Sequence, residues 1–235
     1  MTDFGAAFQA AITLVLDWEG DLAEIVSLSL RISLTAVAVA AVVGLPLGAA
    51  LALFRFPGRK ILVVLLNALM GLPPVVVGLV VYLMLSRAGP LGVLGLLFTP
   101  LAMTIAQMIL ITPIIAALAR QVIEDLWDEY AEQLQSFGAG PGRAVTALLW
   151  DARFSLLTAV LAGFGRASAE VGAVMIVGGN IDHVTRVMTT SIALEVSKGD
   201  LALALGLGIV LVTLSVAVNA AVYLVKDAAQ KRQLA

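Results

Sequence analysis

Long apolar windows separated by short polar stretches dominate the chain. Five of these windows have few or no charges over the roughly 20 residues that a helix needs to cross a hydrocarbon core. They cover residues 28–54, 61–86, 91–119, 154–179 and 201–225. The windows are continuously apolar rather than alternating, and backbone groups in lipid must pair within their own segment, so helices are predicted. The predicted fold class is all-α, a polytopic bundle of about five membrane helices that forms one domain over residues 1–235.

A shorter apolar stretch, residues 4–18, precedes the first window. It has too few residues for a full crossing, so an interfacial or packed helix is the preferred interpretation. A sixth span at this position remains the alternative.

Basic residues near the ends of the windows predict an orientation, because Lys and Arg stay on the cytoplasmic side. None precedes the first window, whereas the connection to the second window contains Arg55, Arg59 and Lys60, and the tail after the fifth is also basic. The N-terminus is therefore predicted to lie outside and the C-terminus in the cytoplasm. The long polar segment 120–153 then faces the cytoplasm.

This segment, 120–153, is predicted to form a helix, a turn and a second helix. Apolar residues recur at helical spacing in its first half while acidic residues occupy the other faces, which is typical of an amphipathic helix. Gly138 occupies the position of a left-handed helix cap, and Gly140-Pro141-Gly142 is a turn signal before a helix over 143–150. Its aromatic side chains favour a docking surface for a cytoplasmic partner over a solvated connector. They are Trp127, Tyr130 and Phe137.

Composition supports a membrane protein and argues against several other classes. The chain is 61% hydrophobic and 13% charged, whereas a soluble domain is about a quarter charged. A net charge of −2 without a basic stripe argues against nucleic-acid binding. There is no cysteine, no second histidine and no nucleophile–base set or phosphate loop, so neither a metal site nor catalysis by this chain is predicted.

Helix-breaking and ionisable residues inside the windows are candidates for the transport pathway and its gate. Pro73 and Pro74 remove two intrahelical hydrogen bonds and predict a break in the second window, and such breaks tend to line cavities. Arg166 and Glu170 lie four residues apart in the fourth window, so they are predicted to share one helix face. A self-neutralising structural pair and a gating pair are equal alternatives.

Thr104 and Gln107 add neutral hydrogen-bond donors in the third window. Such donors suit a pathway for an oxyanion, because a fixed unpaired cation would hold a dianion too tightly for release. Hydrogen bonding between packed helices is the alternative role for both residues.

Two stretches carry a resemblance to ABC importer permeases. The first, 132–140, has the Glu and Gly of the family's EAA loop in place, although Gln133 and Leu134 replace its alanines and the later Leu-Pro falls at Trp150-Asp151. The second, 165–173, is similar to the Arg-x-x-x-Glu-x-Gly-Ala signature of permeases for molybdate, sulfate and tungstate. Its continuation over 177–195 most resembles the tungstate permeases.

The resemblance implies a type I importer permease fold, in a homodimer with the pathway at the subunit interface. It also implies two ABC ATPase subunits on the cytoplasmic side and an external binding protein that delivers the oxyanion. The ATPase subunits would use ATP and Mg, and this chain would bind no cofactor. By the same resemblance, Glu132, Gly138 and Ala139 belong to the element that inserts into a cleft of the ATPase.

Tungstate is the substrate expected from this resemblance, with molybdate and sulfate as alternatives. An ion-coupled secondary transporter that uses Glu170 as its titratable residue is the alternative from another class. Assignment to secondary transporters does not explain the amphipathic segment 120–153.

Overall fold

Every element in the described part of the chain is a helix. The computed structural model describes residues 5, 8, 9, 12, 13 and 20–234, so most of the stretch 4–18 lies outside the described residues. The helices are α1 (Gly20–Leu53), α2 (Arg59–Met70), α3 (Pro74–Leu85), a 3-10 turn (Gly92–Leu94), α4 (Pro100–Ser136), α5 (Pro141–Asp151), α6 (Arg153–Ser168), α7 (Gly172–Gly178), α8 (Met188–Lys198) and α9 (Leu201–Leu234). The all-α fold class is confirmed for this part of the chain.

Three helical stretches are each long and apolar enough to cross a membrane: Asp21–Leu53, Pro100–Ser136 and Leu201–Ala228. Two bent pairs, α2 with α3 and α5 with α6, also reach that length and hydropathy when each pair is taken together. The described residues therefore provide three to five crossings. The predicted number of about five lies at the upper end of that range.

The helix of the second window is interrupted at Pro73 and Pro74, as the sequence predicted. Helix α2 ends at Met70, and Pro74 is the first residue of α3. The missing N–H of a proline has little cost at that position, because the first turn of a helix leaves its N–H groups without helical partners. The two helices meet at an angle of 101° across Gly71–Pro73. The window thus holds two short helices rather than one kinked span.

Helix α4 begins later and ends later than the window 91–119 predicted. Gly95 and Phe98 have φ of +60° and +62°, and residues in this left-handed region cannot continue a right-handed helix. Thr99 precedes the first residue of α4, and its Oγ1 lies 3.4 Å from the amide nitrogen of Ala102, as in an N-cap. At its other end α4 continues to Ser136, so the crossing and the first helix of segment 120–153 are one helix.

The fourth window, 154–179, contains two helices rather than one. Arg166 lies in the last turn of α6, whereas Glu170 lies in the break before α7. The prediction that these two residues share one helix face is therefore wrong. Glu170 Oε1 accepts a hydrogen bond from the amide of Ala173 at 3.0 Å, in the first turn of α7 where such N–H groups need partners.

The chain forms two compact units. The first unit contains the described residues up to Ile32, Gly78–Met103 and the residues from Ser168 onward, and the second contains Ser33–Val77 and Thr104–Ala167. The core of the first unit joins α1, α8 and α9 through Leu22, Val26, Met188, Leu207 and Val210. The main core of the second unit joins α1, α4, α5 and α6 through Ala49, Ala52, Leu53, Ala119, Ile123, Ala144, Leu148, Ala152 and Leu156.

Two glycines one helical turn apart bring α1 and α4 together within the second unit. Gly44 and Gly48 form a small-x-x-x-small pattern, which allows helix backbones in membranes to approach closely. An ideal Cβ at Gly48 would lie 2.3 Å from the carbonyl oxygen of Ala116 and 2.8 Å from the amide nitrogen of Arg120. At Gly44 the corresponding distance to the carbonyl oxygen of Thr112 is 3.2 Å. Helix α1 therefore has no room for a side chain at Gly48.

Candidate functional site

The connection between α4 and α5 is a defined turn with Gly138 at its centre. Gly138 has φ +70°, and its amide donates to the carbonyl oxygen of Gln135 at 2.9 Å. The amide of Ala139 donates to the carbonyl oxygen of Leu134, also at 2.9 Å. These two bonds form a Schellman motif, which satisfies carbonyl groups at a helix end. The predicted left-handed cap at Gly138 and the helix that follows are confirmed.

The tip of this connection presents exposed side chains. Glu132 and Phe137 are exposed, and 86% of the Phe137 residue surface is accessible to solvent. Trp150 near the end of α5 is also 72% exposed, although the sequence marked it only as the place of a missing proline. Exposed aromatic side chains of this kind mark contact surfaces, so Phe137 and Trp150 are the apolar candidates for a docked partner.

Trp127 and Tyr130 have a different environment from Phe137. Both are partly buried and contact the main core of the second unit, together with Leu134 of the same helix. Their packing between α4 and α5 accounts for their apolar character without a partner protein. They hold α5 against α4 and so support the exposed tip.

An ion-pair network fastens the end of α1 to α4 within the second unit. Arg59 Nη2 lies 2.8 Å from Glu124 Oε1, and Arg120 pairs with the other oxygen of the same carboxylate. Arg59 Nε also donates to the carbonyl oxygen of Leu51 at 2.6 Å, in the last turn of α1. Cations are favourable at helix C-termini, where carbonyl groups lack helical partners. One guanidinium thus joins the end of α1 to α4 three residues before Trp127.

We expect this network to contribute a measurable coupling energy. Arg59→Met and Glu124→Gln should each lower the thermal midpoint by about 2–4 °C, which corresponds to about 1 kcal/mol for partly exposed pairs in a chain of this size. The double variant should lose clearly less than the sum of the two single losses, because each change removes the same contact. Asp125→Asn, at the neighbouring exposed position, should leave the midpoint unchanged. Additive losses in the double variant would show that the pair contributes nothing.

Thr104 and Gln107 are both buried on α4. The Nε2 of Gln107 donates to the carbonyl oxygen of Ala167 on α6 at 3.1 Å, so this side chain joins two helices of the second unit. Its Oε1 is buried and has no hydrogen-bond partner among the described residues. Hydrogen bonding between packed helices therefore accounts for Nε2 of Gln107 but not for its Oε1. The pathway role of Thr104 and Gln107 remains a prediction.

Glu170 lies in the first unit and is buried, with 3% of its surface exposed. In addition to the bond from Ala173 to its carboxylate, its backbone oxygen accepts a hydrogen bond from Thr189 Oγ1 on α8 at 2.8 Å. The N-terminal end of a helix stabilises a negative charge, so α7 lowers the cost of burying this carboxylate. This geometry gives Glu170 a structural role, and its role in gating remains a prediction together with that of Arg166.

The loop 179–187 carries two ion pairs within the first unit. His183 Nδ1 lies 2.8 Å from a carboxylate oxygen of Glu24 on α1, and Arg186 Nη1 lies 2.6 Å from Asp182 Oδ1. The hydrogen bond that His183 donates to Glu24, followed by the charge of Asp182, raises the pKa of His183 above its ordinary value. The single histidine of the chain is thus part of an ionic contact between the loop and α1.

Comparison with known proteins connects this geometry to membrane transport. Residues 44–232 match the family described as binding-protein-dependent transport system inner membrane component. The chain is 40% identical over 220 residues to the tungstate uptake system permease protein TupB of Peptoclostridium acidaminophilum, which covers 94% of this chain and 96% of that protein.

Two further relatives indicate the breadth of this similarity. The chain is 41% identical over 206 residues to a probable anion ABC transporter permease protein of Haloferax volcanii, covering 85% of this chain and 88% of that one. It is 28% identical over 222 residues to the sulfate transport system permease protein CysW of Synechocystis sp., covering 91% of this chain and 80% of that protein.

Proposed function

The chain belongs to the family of binding-protein-dependent transport system inner membrane components, and we propose that it is the permease subunit of an ATP-driven tungstate importer. The choice of tungstate as substrate rests on the similarity to a tungstate permease over nearly the full length of both chains. The identity to that permease, 40%, is higher than the 28% identity to the sulfate permease. The chain is a transport component of the membrane and not an enzyme.

In the assembly that we propose, two copies of the chain enclose the pathway. Two ATPase subunits bind on the cytoplasmic side and a binding protein delivers the oxyanion from outside. Three basic residues lie at this end of α1 and α2, Arg55 in the connection and Arg59 and Lys60 in the first turn of α2, and they support an orientation with that connection in the cytoplasm. The same orientation places the turn at Gly138 and the C-terminal end of α9 in the cytoplasm and the loop 179–187 outside.

The turn between α4 and α5 is the proposed contact with the ATPase. Glu132, Phe137 and Gly138 are exposed there, and α4 extends from them to Pro100 without a break. Helix α4 remains helical through Pro113, the internal proline that cannot donate an intrahelical hydrogen bond, so it can transmit displacement from one end to the other. Closure of the ATPase subunits around nucleotide would therefore move the crossing segment of α4 and bias the pathway between its two states.

Calorimetry of the external binding protein with tungstate, molybdate and sulfate tests the substrate. We expect tungstate to bind at least about tenfold more tightly than sulfate, a difference of about 1.4 kcal/mol. Vesicles that contain the permease, its ATPase and the loaded binding protein should then take up tungstate only when ATP is present. A preference for sulfate would contradict the substrate assignment, and uptake driven by an ion gradient without ATP would contradict the importer assignment.

A further inference from the structure

A pocket of about 180 Å³ lies within the first unit, between the first turns of α1, the loop 179–187 and helices α8 and α9. Its polar lining combines carboxylates with a guanidinium and a hydroxyl. These lining residues, together with the imidazole of His183, are Asp21, Glu24, Asp182, Arg186, Ser191 and Glu195. Under the proposed orientation the pocket opens on the external face, away from the ATPase subunits.

The pocket carries an excess of negative charge. Glu24 and Asp182 belong to the ion pairs already described, and Glu195 lies 2.8 Å from the Nζ of Lys198. Among the described residues no Lys, Arg or His nitrogen lies within ion-pair distance of Asp21. The four carboxylates thus face one guanidinium and one ammonium, which leaves two negative charges in excess when His183 is neutral and one when His183 is protonated in its pair with Glu24. A field of this sign attracts cations and repels an oxyanion, so the pocket is unsuited to the substrate itself.

Two buried polar atoms in this pocket have no partner in the described part of the chain. Ser191 is 2% exposed, and its Oγ makes no hydrogen bond. The Nε of Arg186 is also buried and makes no hydrogen bond to the described residues. A buried polar group without a partner is costly, and folded proteins rarely leave one unsatisfied. An occupant that fits must therefore offer a donor or acceptor to the serine hydroxyl and an acceptor to Arg186.

The rim of the pocket is held in a fixed shape. Asn180 and His183 have φ of +51° and +54°, an uncommon conformation for residues other than glycine, and Thr185 is fully buried beneath them. Thr185 Oγ1 donates to the carbonyl oxygen of Gly178 at 2.6 Å and accepts from the amide of Ile181 at 2.9 Å. A surface that is already ordered loses little entropy when a partner binds.

We propose that this pocket receives a Lys or Arg side chain from a protruding loop of the external binding protein. A basic side chain matches the negative excess and donates to Ser191 Oγ, while a backbone carbonyl of the same loop supplies the acceptor for Arg186 Nε. A bare metal ion would supply no acceptor. Ile181 and Val184, both exposed on the loop 179–187, would provide apolar contact beside such an ionic anchor. The inference rests on the proposed function, because it requires an importer that is loaded from outside.

The test measures association of the tungstate-loaded binding protein with the permease–ATPase complex in lipid nanodiscs by biolayer interferometry. The double variant Asp21→Asn, Asp182→Asn should lower the association rate constant by about tenfold at low salt, because rim charges act mainly through steering. For the wild-type complex the rate should fall steeply between 50 and 300 mM salt, and for the double variant it should depend much less on salt. Ser191→Ala should raise the dissociation rate without changing this salt dependence.

The double variant Asp125→Asn, Asp227→Asn is the matched control, since it changes the net charge equally but alters α4 and the far end of α9 rather than the pocket, and it should bind as the wild type does. An unchanged association rate and salt dependence in the Asp21→Asn, Asp182→Asn variant would overturn the docking site, as would faster association. Absence of binding to the wild-type complex would count against the importer itself, so the two failures are distinguishable. The thermal midpoint of each complex identifies a variant that is merely misfolded.

Discussion

A Gly138→Asp variant should assemble with its ATPase subunits at normal yield and lose ATP hydrolysis stimulated by the loaded binding protein by at least about tenfold. The loss has an electrostatic cause. Gly138 lies at the exposed tip that we propose inserts into the ATPase, and insertion removes water from this position. Taking a carboxylate out of water without a partner costs more than the 1.4 kcal/mol that corresponds to about a tenfold loss.

The matched variant Gly138→Asn separates the charge from the backbone. Asn and Asp are nearly identical in shape and both tolerate positive φ better than most residues, so each is compatible with the φ of +70° at this position. An added Cβ meets no atom within 4 Å in the isolated chain. Gly138→Asn should therefore keep stimulated hydrolysis within about threefold of the wild-type rate, given the small cost of the left-handed conformation outside glycine.

Both variants are measured in the reconstituted complex, with hydrolysis recorded with and without the tungstate-loaded binding protein. Copurification of the ATPase subunits shows whether assembly is intact. Full stimulation of the Gly138→Asp complex would contradict the docking assignment of the turn. Equal loss in the Asp and Asn variants would instead show that the backbone geometry at Gly138 matters more than the charge.

The sequence predicted those features that arise from local chemistry. Only a few residue types tolerate positive φ, so Gly138 after an amphipathic run marked a helix end. Likewise, Pro73 and Pro74 cannot continue a helix, and the break occurs between Gly71 and Pro74. The apolar windows predicted an all-helical fold because lipid leaves few alternatives to helices.

Tertiary structure decided the features that the sequence did not predict. Continuous apolar character conceals a break such as the one between Ser168 and Gly172, since lipid and protein interior favour the same side chains. The aromatic residues Trp127 and Tyr130 fit a docking surface and an internal interface equally well by composition, and only the position of α5 distinguishes the two. The pairing of Arg59 with Glu124 joins residues 65 positions apart, which no local pattern indicates.

Two of the candidate pathway residues also take part in helix packing. Gln107 and Glu170 are both buried, and each bonds to a backbone atom of a neighbouring helix. Such bonds make these side chains part of the packing, whatever they contribute to transport. A substitution at either position will therefore alter structure as well as any pathway, and loss of transport alone would not assign a gate.

Gly48→Ala should destabilise the protein by about 2–3 kcal/mol, the upper range for inserting a methyl group into a packed interface. The added Cβ would lie 2.3 Å from the carbonyl oxygen of Ala116 and 2.9 Å from the Cβ of Ala119. The first of these is a backbone atom of α4, so α1 and α4 must separate to relieve the contact. Because Arg59 ties the end of α1 to the same region of α4, separation would also strain that network.

The measurement is the thermal midpoint of the purified chain, which should fall by about 4–12 °C for Gly48→Ala at about 2–4 °C per kcal/mol. Gly165→Ala is the matched control, because this helical glycine of α6 belongs to the same unit and its added Cβ would meet no atom within 4 Å. There the substitution should leave the midpoint unchanged or raise it slightly, since alanine favours the helix by roughly 0.5–1 kcal/mol. Equal midpoints for the two variants would show that α1 and α4 do not depend on close contact at Gly48. A lower midpoint for Gly48→Ala alone would make the Gly44-x-x-x-Gly48 pattern the sequence signal for this helix pair.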